Sequence, residues 1–298
     1  MSPVSDDAYT LLVNPSAGGG RTGKLLEMAL AALADGGVEP RPVMTENIEH
    51  GRREARDAAE RGDRVLVMSG DGLIGQVGGE LANTGTTMGI VPGGRGNDLA
   101  RVLGIPADIE EAAGIIAAGE TREIDVGEAN GRRFLCIASC GFDSEANRIA
   151  NESRISGPLV YAYAALRALA AWKPARFTLS VDGEDVEIVG YTIAAANSKA
   201  YGGGMFIAPD ARLDDGLLDV IAIADVSKLK FLRGLPAVFR GEHVGNDEVS
   251  VRRCRELEIA ADRPFSVYAD GDPITELPAT IRVLPAALNV IVPPDGAP

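Results

Sequence analysis

The sequence predicts an α/β N-terminal domain with a parallel sheet, followed by a mainly antiparallel β-sandwich C-terminal domain. Three observations carry this. Short aliphatic runs alternate with helical-period segments up to about Asp125. Beyond it, strand-like runs dominate and only two helical segments interrupt them. Gly-rich loops close three of the early strands, where α/β sheets bind ligands.

The first run, residues 10–14 (TLLVN), is apolar and ends in a Gly-rich loop. Lys24–Ala34 then carries Leu25, Leu26, Ala29, Leu30 and Leu33 at helical spacing. A strand at Pro42–Met44, a polar helix over Gly51–Arg61 and a buried strand at residues 65–68 (VLVM) follow. Residues 73–82 read as helix and Met88–Val91 as strand. This alternation implies parallel strands with helical crossovers. In the second half, Phe134–Ser139, Phe177–Val181, Ile188–Ala195, Leu218–Ala224, Leu257–Ala260 and Phe265–Tyr268 are strand-like. Asp182-Gly183 between two of them signals a hairpin. Helices are expected near residues 158–172 and 227–239. The expected domains are residues 1–125, completed by 286–298 through a returning strand at Leu288–Val292, and residues 126–285.

Composition narrows the function. The 298 residues carry 29 Lys and Arg against 43 Asp and Glu, a formal charge of −14, which argues against binding a nucleic-acid backbone. An apolar fraction of 46% supplies a core and argues against disorder. Cys136, Cys140 and Cys254 form no CxxC pair and fit buried thiols in a reducing compartment. Two histidines, His50 and His243, argue against a zinc centre or a Ser-His-Asp triad. The N-terminal MSPVSDDAYT lacks an apolar leader, and the best apolar run, Leu159–Trp172, is short and contains Arg167. A cytoplasmic location is the expectation.

Three loops are candidates for cradling phosphate. Gly18, Gly20 and Gly23 have G-x-G-x-x-G spacing, but Leu25 stands where a P-loop needs Ser or Thr. Gly70-Asp71-Gly72, with Gly75, leaves a carboxylate free beside a phosphate-bound metal. Pro92-Gly93-Gly94-Arg95-Gly96-Asn97-Asp98 adds a guanidinium and a second carboxylate. Each alone also reads as a tight turn or a helix cap. Together, at successive strand ends, they point to phosphate binding.

The ordered set resembles the lipid kinases related to diacylglycerol kinase and sphingosine kinase, of the bacterial diacylglycerol kinase catalytic-domain type. The residues concerned are Asn14-Pro15-x-Ala17-Gly18-Gly19-Gly20, Gly70-Asp71-Gly72, Gly94-x-Gly96-Asn97-Asp98 and Leu213–Asp219. Ala269-Asp270-Gly271-Asp272-Pro273 stands where the family has D-G-E. The resemblance implies a nucleotide-binding α/β domain, a β-rich lipid-substrate domain and a cleft between them. It places ATP against Asn14, Thr45, Ser69, Gly70, Asp71, Gly72, Leu73, Gly75, Gly94, Arg95, Gly96 and Asn97. It implies that Asp71, Asp98 and Asp125 organise Mg²⁺ and its waters. Asp270 is implied as the catalytic base, with Asp272 next. A structural Mg²⁺ would take Asp215 with the carbonyls of Arg212 and Leu217; a plain β-turn at Asp215-Gly216 is the alternative. The literal D-G-E at Asp182-Gly183-Glu184 precedes the Leu213–Asp219 segment, whereas the family base follows it, so it reads as the hairpin turn.

The chain also departs from the family pattern G-G-D-G-T-x-N-E. Ser69, Leu73, Gly75 and Gln76 replace a glycine, a hydroxyl, an amide and a carboxylate, and Arg95 replaces a Thr. Arg95 is expected to supply the phosphate contact that the missing hydroxyls would make. Two rivals are weighed: an NAD kinase-like phosphotransferase and a nucleotide-binding regulator with a degraded site. The expected partner is a lipid substrate, met transiently at the inner face of the membrane, with no nucleic acid; homodimerisation stays open. Val226–His243 holds Lys228, Lys230, Arg233 and Arg240 among Phe231, Leu232, Leu235 and Phe239. Its first reading is a helix packed on the second domain, its second an interfacial helix. The helix near residues 158–172 likewise reads as core before lid.

Overall fold

Strands buried on both faces must be apolar throughout, whereas strands with one wet face alternate. Both patterns occur in the computed structural model, which describes residues 8–153 and 159–294, with backbone only at 151, 152 and 159–162. The acidic N-terminus up to residue 7, the start of the helix expected at residue 158 and the end of the 286–298 return lie outside the described residues.

The elements run β1 (Tyr9–Val13), α1 (Ala17–Asp35), β2 (Arg41–Met44), α2 (Ile48–Arg61), β3 (Arg64–Ser69), α3 (Asp71–Leu81), β4 (Thr87–Pro92), α4 (Asp98–Val102), α5 (Ile109–Ala118) and β5 (Thr121–Ala129). They continue as β6 (Arg132–Phe134), β7 (Ile137–Gly141), α6 (Phe142–Glu152), α7 (Leu159–Ala171), β8 (Ala175–Val181), β9 (Glu184–Ala196), β10 (Leu218–Ala224) and α8 (Lys228–Val238). A short 3₁₀ turn at Glu242–Gly245 precedes β11 (Val249–Cys254), β12 (Glu256–Ala261), β13 (Ser266–Ala269), β14 (Asp272–Glu276) and β15 (Ala279–Ile291). The chain divides into two units: Met1–Val126 with Leu284–Pro298, and Gly127–Val283. It passes from one to the other within β5 and again within β15.

In the first unit, the end of β15, then β4, β3, β1 and β2 pair in that order, all parallel. Leu11, Val13, Leu66 and Met68 pack with Ala29 and Leu33 of α1 and with Ile109, Ala113 and Ile116 of α5. Leu12, Val65 and Val67, one position out of phase and equally buried, belong to the opposite face. Glu80 of α3 accepts from the guanidinium groups of Arg52 and Arg56 on α2.

Helix starts differ from the sequence reading where a side chain caps earlier. α2 begins at Ile48 because Asn47 Oδ1 accepts the His50 amide at 2.8 Å. α5 was not anticipated, although Asp108 accepts the Glu110 and Glu111 amides and Gly119 closes the helix in a left-handed conformation. Helical geometry starts at Ala17, but Gly18, Gly19 and Gly20 interrupt it with φ of 60°, 75° and 86°. Only glycine adopts three such residues in succession without strain.

The second unit is antiparallel. β14, β13, β7, β9, β8, β12 and the start of β15 pair in that order, and β10 joins β9 to β11. β9 pairs with β8 through its first half and with β7 and β10 through its second. Gly190 stands at that change, where a Cβ would lie 2.2 Å from the Ile223 carbonyl oxygen. Asp182 and Gly183, both at positive φ, form the two-residue hairpin turn between β8 and β9. Aromatics are 5% of the chain. Even so, Phe142, Trp172, Tyr191 and Phe231 gather with α6, α7 and α8 in one apolar cluster, with Phe265 against it. Tyr191 and Phe231 stack at 4.2 Å between centroids, and Phe142 meets Phe231 edge-on at 4.8 Å. Among the described residues no helix is long and apolar enough to cross a membrane.

Candidate active site

The first unit brings the three glycine loops into direct contact at the C-terminal ends of β1, β3 and β4. Gly70 and Gly94 touch through their backbones: a Cβ on Gly94 would lie 2.5 Å from the Gly70 Cα and 2.8 Å from Asn97 Oδ1. A Cβ on Gly18 would lie 2.6 Å from the Gly93 carbonyl oxygen. The buried Thr22 hydroxyl faces two acceptors, the Gly93 carbonyl at 2.9 Å and the Ala17 carbonyl at 3.2 Å. Thr22 therefore fastens the first loop to the third, a role that local sequence does not disclose.

Asn97, at φ 51°, accepts the Gly94 amide on Oδ1 at 2.8 Å and donates to the Gly94 carbonyl at 3.3 Å. Arg101 donates to the Gly96 carbonyl. Asp71 opens α3 and accepts the Asp98 amide on Oδ1 at 2.6 Å, so one carboxylate joins the starts of α3 and α4. Asp98 and Asp125 are buried, and Asp125 accepts the Ala286 amide at 2.8 Å. Arg95 is exposed and extends over the first loop, its Nη2 being 3.5 Å from where a Gly19 Cβ would be.

The remaining predicted nucleotide residues divide. Asn14 Oδ1 accepts the Ser16 amide and the Asn14 backbone N–H donates to the Met68 carbonyl, which sets the entry of the first loop. Ser69 is buried, and its carbonyl accepts the Gly93 amide. The Thr45 hydroxyl donates to the Val13 carbonyl, leaving its lone pairs for another donor. Gly72 lies in the first turn of α3. The Leu73 side chain is buried, and a Cβ on Gly51 of α2 would lie 2.6 Å from its Cδ1. Leu73 therefore serves a ligand only through the backbone of the helix N-terminus. Gly75 is buried within α3. The loops offer backbone amides, a helix N-terminus, one guanidinium and the linked Asp71 and Asp98 carboxylates, donors that suit a polyphosphate with a hard cation, while Asp125 is engaged with the Ala286 amide. No group of three or more His, Cys, Asp or Glu side chains able to hold a metal forms among the described residues.

In the second unit, Asp270 and Asp272 flank the turn from β13 to β14, but their surroundings differ. Asp270, at φ 51°, accepts the Leu135 amide on Oδ2 at 2.8 Å and the Cys136 amide on Oδ1 at 3.0 Å. The same two residues accept from Asn197 and Ser198: Asn197 Nδ2 donates to the Leu135 carbonyl, and both backbone amides donate to that of Cys136. Asp270 is thus a bracket between the turn and the β6–β7 link. Asp272 is half-buried, its carboxylate takes no hydrogen bond among the described residues, and burial pushes its pKa up.

A second polar centre, unmarked in the sequence reading, surrounds Asp143. Its carboxylate accepts from Thr192 Oγ1 at 3.2 Å and from the Tyr201 hydroxyl at 3.4 Å. Burial raises the Asp143 pKa, against hydrogen bonds from Ser139, Thr192 and the Ser144 amide that lower it. Tyr201 is pushed well above the usual phenol, first by burial and then by Asp143. The signal available in the sequence was a single Asp after Gly141-Phe142, too little to separate from a helix start.

Asp215 Oδ1 accepts the Leu217 amide at 3.1 Å across Gly216, which stands at φ 70°, an Asx turn made by the side chain. Nearby Asp219 is buried. Its pKa is raised by burial and then by Asp215 and Asp210, against Arg253, whose guanidinium donates to it at 3.1 Å.

A parallel α/β unit whose glycine loops meet at the strand ends, with an antiparallel unit carrying acids on a tight turn, defines a phosphotransferase. Residues 8–129 match the diacylglycerol kinase catalytic domain, and residues 136–292 match the YegS C-terminal NAD kinase beta sandwich-like domain. The chain is 38% identical to a diacylglycerol kinase of Mycobacterium tuberculosis over 96% of each chain, and 28% identical to one of Bacillus subtilis over 96% of this chain and 97% of the other. A crystal structure described as a diacylglycerol kinase from Bacillus anthracis str. Sterne shares the fold, with a TM-score of 0.75 at 23% identity over 97% of this chain and 98% of that one. The chain belongs to the diacylglycerol kinase-type lipid kinase family.

Proposed function

We propose that the chain transfers the γ-phosphoryl group of ATP, with Mg²⁺, to a hydroxyl of diacylglycerol or a related long-chain lipid alcohol, at the inner face of the membrane. The observation that carries it is the mutual backbone contact of the Gly18, Gly70 and Gly94 loops beside Asp71, Asp98 and Arg95. The first unit is the ATP-binding domain and the second the lipid-substrate domain in this reading. Backbone amides of the loops and of the first turn of α3 hold the phosphates, and Arg95 adds a charged contact. Asp71, Asp98 and Asp125 would hold Mg²⁺ through its waters, and the ion would neutralise charge developing on the phosphoryl oxygens. A carboxylate must accept the proton of the lipid hydroxyl as the phosphoryl group transfers in line. Of the two acids at the turn, Asp272 suits this role better: its carboxylate is unengaged and more basic than usual, whereas both Asp270 oxygens hold amides. The Asp143 network adjoins the aromatic cluster through Phe142, the polar-then-apolar order that a lipid alcohol presents. A structural Mg²⁺ at Asp215, Arg212 and Leu217 belongs to the same reading.

Labelled ATP offered with a total lipid extract tests the function. Label in a phosphorylated lipid alcohol, identified by mass, is the expected result. Label in NADP when NAD is supplied, or ATP binding without transfer to any lipid, would reject it. Arg95→Ala is expected to raise the KM for ATP roughly ten-fold, the cost of one charge-assisted contact, without lowering Tm because Arg95 is exposed. Unchanged KM and kcat in that variant would remove Arg95 from the phosphate site.

A further inference from the structure

Two helices of the second unit turn apolar side chains toward solvent as well as toward the core. Phe231 and Val238 of α8 are buried and Leu235 packs against the aromatic cluster that holds Phe231, while Leu229 is 56% exposed, Leu232 40%, and Phe239, just past the helix end, 53%. Leu229, Leu232, Arg233 and Pro236 recur at i, i+3, i+4 and i+7, so they form one outer stripe that Phe239 and Arg240 continue. On α7, Ala164, Ala168 and Leu169 are buried while Tyr163 is 39% and Leu166 55% exposed, beside Arg167. The two helices share the aromatic cluster, and Lys228 Nζ donates to the Ala170 carbonyl at 2.7 Å, tying the start of α8 to the end of α7. These five residues are half of the ten exposed large hydrophobic residues among the described residues.

The charge of this face runs against that of the chain. No Asp or Glu occurs in residues 159–173 or 226–241, although the chain carries −14. Lys230 is paired with Glu248 and Arg240 with Glu242, but Arg167, Lys228 and Arg233 have no carboxylate partner among the described residues. We propose that the outer faces of α7 and α8 form a docking surface for an anionic phospholipid bilayer, with Leu166, Leu229, Leu232 and Phe239 entering the interface and Arg167 and Arg233 meeting the headgroups. The inference rests on the reading of the chain as a peripheral enzyme and adds which surface makes the contact. Charge complementarity selects the occupant. A second copy docked by a two-fold axis would bring the same cations face to face, whereas an anionic membrane strengthens adsorption about five-fold per cation.

Sedimentation of the full chain with vesicles of phosphatidylglycerol and phosphatidylcholine tests this, with pure phosphatidylcholine as control. The wild type is expected to partition onto the anionic vesicles and to be released by salt. Leu232→Asp with Phe239→Asp is expected to lower that partition about ten-fold or more. Arg167→Gln with Arg233→Gln is expected to lower it about 25-fold. Both variants should keep wild-type Tm and act on dioctanoylglycerol in detergent micelles within about two-fold of wild type, because the substitutions lie outside the core. Wild type that ignores anionic vesicles would overturn the peripheral reading, and the surface with it. Wild type that adsorbs while both variants adsorb equally would overturn the surface alone. A wild-type dimer that dissociates in the Leu232→Asp/Phe239→Asp variant would reassign the face to self-association.

Discussion

Asp272→Asn is expected to fold with a Tm equal to or above that of wild type and to lose about two to four orders of magnitude in kcat, the usual contribution of a general base. The Tm follows from the sign of the pKa shift. Burial raises the carboxyl above its unfolded value, so the native state binds this proton more tightly. That contribution is complete below the unfolded pKa and is lost as pH rises through the raised folded value. At neutral pH the half-buried charge therefore opposes folding, and the neutral amide relieves it. Asp270→Asn should behave in the opposite sense. An amide has one acceptor oxygen, so either the Leu135 or the Cys136 amide loses its partner and faces an NH₂ group. A donor left unsatisfied costs about 1–3 kcal/mol, so Tm falls. Thermal melts beside single-turnover kinetics separate the two. An Asp272→Asn enzyme of full activity, beside an Asp270→Asn enzyme that melts normally but turns over a thousand-fold slower, would return the base to Asp270.

Gly94→Ala is expected to lower kcat/KM for ATP about 100-fold, because a reacting group displaced by about 1 Å loses that much. Gly94 is not at positive φ, so the backbone tolerates alanine; the obstruction is steric. The new methyl would sit 2.5 Å from the Gly70 Cα and 2.8 Å from Asn97 Oδ1. Backbone cannot rotate away as a flexible side chain can, so the second and third loops must separate, and the Asp71 bond to the Asp98 amide separates with them. Overpacking of this kind costs about 1–3 kcal/mol in stability. Gly114→Ala is the control, since nothing lies within 4 Å of its Cβ position in α5 and alanine suits a helix better. ATP titration with both variants measures the effect. Wild-type affinity and turnover in Gly94→Ala would show that the loops meet without serving the nucleotide.

Much of the fold was legible because its signals are local. Leu11–Val13 and Val65–Met68 are uninterrupted aliphatic runs, and a strand covered on both faces needs that composition. Asp182-Gly183 announces its hairpin through two residues that tolerate positive φ. The start of α1 was misplaced because helical backbone already forms at Ala17 and is then broken by Gly18–Gly20. α5 was missed although Asp108 and Gly119 carry clear capping signals, since the alternation of strand and helix invited one crossover per strand.

By itself the sequence determined the class of fold and the kind of chemistry. Period, capping residues and glycine loops act within a few residues of one another, and acids beside phosphate loops have few other uses. The tertiary structure decided what depends on contacts between distant segments. Asp270 and Asp272 are two residues apart and chemically identical, yet only the approach of Leu135 and Cys136 engages one and leaves the other to burial. Thr22 was one hydroxyl in a helix until Gly93 came within 2.9 Å. Leu232 and Phe231 are neighbours of equal hydrophobicity, and only the packing of α8 on the aromatic cluster turned one inward and the other toward solvent. Hydrogen bonds and burial are properties of pairs of atoms brought together in space, and the linear order of residues does not state which pairs those will be.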